Sequence, residues 1–483
     1  MRKILLASAA IMAASGGLAL AQVAPNPVGG KYIAPLSGGP AANNNNNSWG
    51  VANTGTGSAA AGGLSGSIYS PGMVGSPEPG TVVIRLNGRV EVDATVAFSN
   101  ANSLGGYKIN PINMGSWMRL YPGFDGKSSN GLRYGAAVEL RENFGTGLTT
   151  SGNGPAAAGS TTAPSASGFT SSETVLVRRA FSYLASDNVG LLRLGQGDGV
   201  MGLFDNCVFT TQCWDAGVGN FNGGQMQGVG AGAPDSIPFV WLSQAGAEYG
   251  NTKAVYLSPQ FYGLDFGVQY APNMGNSFAG GCNAASAACI GLTSGNDATR
   301  WYNQVAVGVR YQHSFGAVDL KAYGLYETAG KENLTVGATP ASIRYDNLNF
   351  YKAGMAVTAM NTTLAVDYIG GAVNGQLSMR PVGGANTNAV LAGVTYKNGP
   401  LTLGAEMGTI DTQGDARLVH VSQRHEYEIA FGGNYAVAPG LNLVGEYMYT
   451  HRHQGNFNFV TNAVGSTGDT QGQGILFATV LSW

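Results

Sequence analysis

Charge is scarce in this chain. Asp, Glu, Lys and Arg make up 11% of its 483 residues, against about 25% in ordinary soluble domains. The 25 Lys+Arg and 27 Asp+Glu leave a formal charge of −2, which is no basic footprint for a nucleic-acid partner. Long apolar runs are missing as well. Past the N-terminus, no stretch reaches the ~18 uninterrupted apolar residues of a membrane helix. Glycine is abundant, at 75 residues, but has no G-X-Y period, which excludes collagen. No G-x-S-x-G, H-E-x-x-H or C-x-x-C occurs, and no Gly-rich loop precedes a helix. The chain is therefore expected to have no catalytic residues, no metal site and no cofactor.

Cysteine is rare too. Cys207/Cys213 and Cys282/Cys289 form two local pairs. Neither spacing is C-x₂₋₄-C and no histidine lies nearby. Two short-loop disulfides, formed in an oxidising compartment, are the expectation, with zinc as the alternative.

What is present starts with a secretory signal. Arg2 and Lys3 precede an apolar run from Ile4 and a small-residue end, Ala19-Leu20-Ala21, with cleavage expected before Gln22. Its removal brings the formal charge to −4. Residues 22–80 hold Pro, Gly, Ser and Ala, with five asparagines at 43–47, and lack any apolar period. They read as a disordered, low-complexity leader.

From Val82 a two-residue period sets in. Over 82–98 one face is Val82, Ile84, Leu86, Val90, Val92, Val96 and Phe98, and the other includes Arg85, Arg89, Glu91 and Asp93. The same alternation recurs at 132–141, 318–327, 427–435 and 441–452. Weaker copies fit 114–121, 174–184, 189–196, 253–258, 262–271, 301–312, 348–358, 362–372, 388–397, 401–410 and 473–483. That makes sixteen strands. Arg178 and Arg179 are adjacent, so one faces the wrong way or a bulge intervenes.

Short connections with turn chemistry, at 185–188, 258–261, 397–400 and 438–440, alternate with long ones near 143–172, 197–252, 272–299, 329–346, 373–387, 411–424 and 453–472. The period alone fits a soluble sandwich or a barrel in lipid. Loop segregation, an even strand count and the signal favour an all-β transmembrane antiparallel barrel over 81–483. Aromatic rings near strand ends on the apolar face (Phe98, Tyr183, Tyr270, Tyr311, Tyr326, Tyr368, Tyr396, Tyr449) suit membrane–water interfaces.

Three segments carry a family resemblance. They are 177–184 (Val-Arg-Arg-Ala-Phe-Ser-Tyr-Leu), 190–196 (Gly-Leu-Leu-Arg-Leu-Gly-Gln) and the last strand, 474–483, which ends on Trp483 where the family usually has Phe. In these the chain resembles the sixteen-stranded general porins of Gram-negative bacteria, most closely the α-proteobacterial branch. The resemblance implies an outer-membrane homotrimer in lipid. Each barrel would be a water-filled channel for passive diffusion of small hydrophilic solutes, narrowed by an inward-folded third loop.

That loop corresponds to 197–252. It holds Asp198, Asp205, Asp215, Asp235 and Glu248 and no Lys or Arg. The strands before it carry Arg85, Arg89, Arg119, Arg133, Arg141, Arg178, Arg179 and Arg193. An acidic loop facing an arginine-rich wall sets a transverse field across a narrow aqueous gap. The opposing expectation is that these arginines only pair with wall carboxylates such as Glu91, Asp93 and Glu139. Cys207–Cys213 would brace the loop. Phe204, Phe209, Trp214 and Phe221 read as its packing feet, or as a sugar-stacking track in a substrate-selective channel.

Five histidines complete the inventory: His313, His420, His425, His451 and His453. His451 and His453 share a strand face without a clear third ligand. Asp411, Asp415, His420 and His425 are the one cluster that an outer-membrane barrel enzyme could use. With near-balanced charge, weak cation preference is expected of the channel.

Overall fold

The computed structural model describes residues 79–144, 176–204, 251–273 and 301–482, with short breaks inside these spans. The alternating segments form sixteen antiparallel strands: β1 (Thr81–Ser99), β2 (Ile112–Lys127), β3 (Arg133–Phe144), β4 (Leu176–Ser186), β5 (Gly190–Gln196), β6 (Thr252–Leu257), β7 (Leu264–Asn273), β8 (Trp301–Phe315), β9 (Val318–Lys331), β10 (Leu348–Ala359), β11 (Thr362–Ala372), β12 (Thr387–Asn398), β13 (Leu401–Thr412), β14 (Arg424–Ala438), β15 (Leu441–Gln454) and β16 (Thr470–Ser482). Each pairs with its neighbours in sequence. The ring closes where β1 meets β16, with Glu91 opposite Val480 and Asp93 opposite Ala478. No described helix is long and apolar enough to cross a membrane; the crossing elements are strands.

Burial separates the two faces of the wall. On β15, Asn442, Glu446, Thr450 and Gln454 point inward and are buried, whereas Leu443 points outward and is exposed. On β8 the inward set includes Gln304 and Arg310, both fully covered, and the outward set is Val305, Val307 and Val309, all exposed. A buried polar face with an exposed apolar one inverts a soluble sandwich and suits a barrel wetted by lipid outside.

Connections alternate around the whole ring. Turns at 128–132, 187–189, 258–263, 316–317, 360–361, 399–400 and 439–440 mark one end. Long loops at 100–111, 145–175, 197–251, 274–300, 332–347, 373–386, 413–423 and 455–469 mark the other. The segment after β5 is thus the third long loop. The 360–361 turn is made by Met360 (φ 46°) and Asn361 (φ 65°). Two successive left-handed residues match the twist of a two-residue hairpin loop.

Two wall positions need comment. Arg179 is the partner of Glu139, but Leu140 pairs with Val177, so Arg178 is the extra residue of a bulge. Tyr183 corrects the expectation of a lipid-side ring: it points inward, is 2% exposed, and its hydroxyl donates to Asp125 Oδ1 at 2.6 Å. The ring lies over Gly135 of β3, where an added Cβ would fall 2.6 Å from it, so only glycine leaves room. Phe98, Tyr270, Tyr326 and Tyr396 are exposed on the outward face, as expected.

Candidate channel lining

Strand alternation delivers charged side chains to the inside of the barrel. Glu91 and Asp93 on β1, Arg133 and Glu139 on β3, and Arg193 on β5 are all buried on the inward face. Arg179 is ion-paired with Glu139, both almost completely buried. Arg193 lies over the Phe181 ring at 4.7 Å, an arrangement in which a cation faces the negative side of the ring. The side chains of Arg85, Arg89, Arg119, Arg141 and Arg178 fall outside the described residues. So do Asp198, Asp205, Asp215 and Asp235, and the disulfide candidates Cys207–Cys213 and Cys282–Cys289.

The same alternation puts a second charged surface where the sequence reading did not look for one. Asp367 on β11, Glu406 on β13, Glu426 and Glu428 on β14 and Glu446 on β15 are buried on the inward face, accompanied by Arg424 and Arg452. Arg452 is ion-paired with Glu426. Arg193 on β5 and Glu406 on β13 stand eight strands apart, half-way round a ring of sixteen. The polar parity of β14 and β15 and the sixteen-stranded ring were both legible in the sequence; the opposition follows from combining them, because strands eight places apart face each other across the lumen.

The root of the third loop is fastened inside the barrel by a chain of hydrogen bonds. After β5 the chain turns into a one-turn helix, α1 (Val200–Phe204), whose Val200, Met201, Leu203 and Phe204 are at most 2% exposed. It lies against the inner face of β7, β8 and β9. Val200 N–H donates to Gln269 Oε1 at 2.7 Å, Gln269 Nε2 donates to Gln304 Oε1 at 3.0 Å, and Gln304 Nε2 donates to Glu327 Oε1 at 2.7 Å. Lys253 Nζ holds the Gly197 carbonyl at 2.7 Å, and Asn251 at the far root donates to Gln304 at 3.3 Å. Both ends of the loop are therefore fastened to the inner wall. Phe204 is a packing foot, with no ring face left for a solute.

The candidate enzyme cluster divides. Asp411 and His425 pair on the outward face (Oδ1 to Nδ1, 2.6 Å), while Asp415 binds Arg417 and caps a short 3₁₀ turn. His420 sits against Gly383 in the neighbouring loop. His451 and His453 both approach Asp469, at 3.6 and 2.7 Å. Among the described residues, no three His, Cys, Asp or Glu side chains are grouped to hold a metal ion.

A closed barrel with charge inside and aliphatic and tyrosine side chains outside agrees with the sequence comparison: the family model described as Gram-negative porin matches residues 7–455. The chain belongs to the Gram-negative porins. It is an outer-membrane channel for passive diffusion. No curated protein sequence matches the porin. Among solved structures it is similar to an anion-selective porin from Comamonas acidovorans (14% identity, 83% of this chain and 100% of that one, TM-score 0.49). It is also similar to the outer membrane channel DcaP of Acinetobacter baumannii (13%, 84% and 100%, TM-score 0.48). A third likeness is to a loop-deleted OmpT, an outer membrane protein of Vibrio cholerae (14%, 83% and 99%, TM-score 0.46). Identities this low carry no information about what passes through the porin, and its family rests on the match over 7–455.

Proposed function

We propose that this porin passes small hydrophilic solutes and ions with a weak preference for cations, through a lumen narrowed by 197–252. The carrying observation is the charge on its inner wall. Among the described residues the buried charged side chains are eleven carboxylates and seven cations. They are unevenly spread: Arg133, Arg179 and Arg193 lie on β3–β5, and Asp367, Glu406, Glu426, Glu428 and Glu446 on β11–β15. Opposite charge on opposite walls orients dipolar solutes, and a modest acidic excess favours cations.

The working unit is a homotrimer exported by the signal at 1–21 and resting in outer-membrane lipid. The support for an assembly is on the outer face. Among the described residues, Tyr270, Tyr302, Tyr326, Tyr351, Tyr396, Tyr427 and Tyr435 are exposed on β7–β14, whereas the exposed large apolar residues of β1–β5 are Val, Ile, Leu, Met and Phe, with the outward Tyr134 half-buried. Tyrosines belong at the lipid–water boundary, and an arc poor in exposed ones suits contact with a neighbouring subunit.

The test is a planar-bilayer recording of the purified porin in a salt gradient. Stepwise conductance and a reversal potential of cationic sign are expected, and Glu406→Gln with Glu446→Gln should move that potential toward anions. Absence of steps would refute the channel reading, and an anionic potential in the parent would refute the selectivity.

A further inference from the structure

Arg310, like Arg179, is an arginine buried completely in the wall, with the charge of a filter group. Its surroundings point elsewhere. It is completely buried, it forms an ion pair with Asp265 at 3.1 Å, and its guanidinium lies over the Phe204 ring at 4.7 Å. Both its neighbours are protein: the wall carboxylate on one side and the foot of the third loop on the other.

The wall is hollowed to receive that foot. An added Cβ on Gly267 would lie 3.0 Å from Leu257, 3.1 Å from a Val200 methyl and 3.2 Å from Phe204, and one on Gly308 would fall 2.3 Å from Leu325 and meet Val200 and Phe204 at 3.1 and 3.2 Å. Neighbouring strands β7 and β8 thus each lack a side chain where α1 sits. On the loop side, a Cβ on Gly199 would fall 2.0 Å from Gln269 Oε1, the atom that accepts the Val200 N–H. Recess, ring, guanidinium and carboxylate fit together as one layered joint.

We propose that Arg310, held by Asp265, is a pedestal for Phe204: a positioning residue that sets the width of the channel rather than its ionic preference. The pair compensates its own charge inside the wall, so its field across the lumen is small. Its aromatic contact fixes α1, the described root of the segment, against the inner face of β7 and β8. The inference rests on the reading of 197–252 as the constriction.

The experiment compares full-length porin with Phe204→Ala, Phe204→Leu, the neutral pair Asp265→Asn with Arg310→Met, and a deletion of 205–250. Each is read for single-channel conductance, exclusion of graded neutral polymers and reversal potential. For Phe204→Ala and the neutral pair, conductance should rise on the order of twofold as the water-filled section grows. The exclusion limit should shift to larger polymers with the reversal potential unmoved, and Phe204→Leu, which fills the recess but offers the guanidinium no ring, should fall between the parent and Phe204→Ala. Phe204→Ala carries no charge change, so it tests the joint even where the double variant fails to fold. Parental conductance and exclusion in Phe204→Ala, or a moved reversal potential without widening in the double variant, overturns the pedestal. If the deletion widens the channel and Phe204→Ala does not, the pedestal alone fails. If the deletion changes nothing, the constriction reading falls and takes the pedestal with it.

Discussion

The wall from β1 to β5 and the wall from β7 to β15 are written in the same two-residue alphabet, yet they differ on both faces. Outside, the first arc is mostly aliphatic, with Phe98 and Phe124 its exposed rings among the described residues, and the second is studded with tyrosine. Inside, β3–β5 are arginine-rich and β11–β15 carboxylate-rich. A strand's period decides only that its faces differ; which residues fill each face records what that face meets. Exposed tyrosines border the second arc, while the first exposes Phe98 and Phe124 as its rings among the described residues, which is why one barrel can be greasy all round without being uniform.

The largest effect that tests this contrast lies in the first arc. Arg179→Ala leaves Glu139 buried without its ion-pair partner, which costs about 3–5 kcal/mol. Arg452→Ala, removing the partly wet partner of Glu426 at the loop end of β14–β15, should cost less. Urea titrations of the folded barrel in detergent read both, and equal losses would erase the inner-face distinction. Next in size is an arginine on the outer wall. Val307→Arg on β8 places a charge toward lipid, at about 2–4 kcal/mol near mid-bilayer, and should destabilise the barrel without altering its assembly. Val92→Arg on β1 should instead release subunits, seen as a monomer by light scattering; a trimer that survives it would remove the subunit-contact role of that arc.

The smallest effect sits in the loops of the second arc. Burial pushes the Asp415 carboxyl up, but hydrogen bonds from the Arg417 side chain and backbone, with the nearby positive charges, outweigh it and hold the group below its ordinary value of 3.8. A lowered value stabilises the 413–423 loop above the ordinary carboxylate range and is lost as pH falls through the lowered one. The pair is partly exposed, so the contribution is under about 1 kcal/mol. Proteolysis of this loop should quicken on acidification in the parent, and Asp415→Asn should flatten that dependence.

Much of the barrel was legible because alternation is a local signal repeated many times. Each of the sixteen strands, and the bulge at Arg178, could be read from residues next to one another. The features that escaped depend on partners far away in sequence. Tyr183 shares the parity of Arg179, and that parity counts as inward only once Glu139 and Asp125 across the sheet are known to be the partners, with the bare backbone of Gly135 leaving room for the ring. The turn at Met360-Asn361 carries no glycine or proline to announce it. Phe204 and Arg310 are separated in sequence by β6 and β7, and nothing in Val-Met-Gly-Leu-Phe indicates a helix that needs a recess to sit in. The carboxylates of β14 and β15 stood in plain view on the polar parity, and their opposition to Arg193 follows once that parity is combined with the sixteen-stranded ring.

That closure also bears on how the barrel comes to exist. The partners of Glu91 and Asp93 lie on β16, fourteen strands further along the chain than β2, the other neighbour of β1. Until they arrive, β1 and β15 both present unpaired amides and carbonyls, each of which costs several kcal/mol in hydrocarbon. The most non-local contact in the chain is therefore the one its permanence depends on, and forming it is inherently slow. A chain shortened by its final strand would keep fifteen well-formed strands and still have no resting place in a bilayer, which makes 470–482 a checkpoint on completeness.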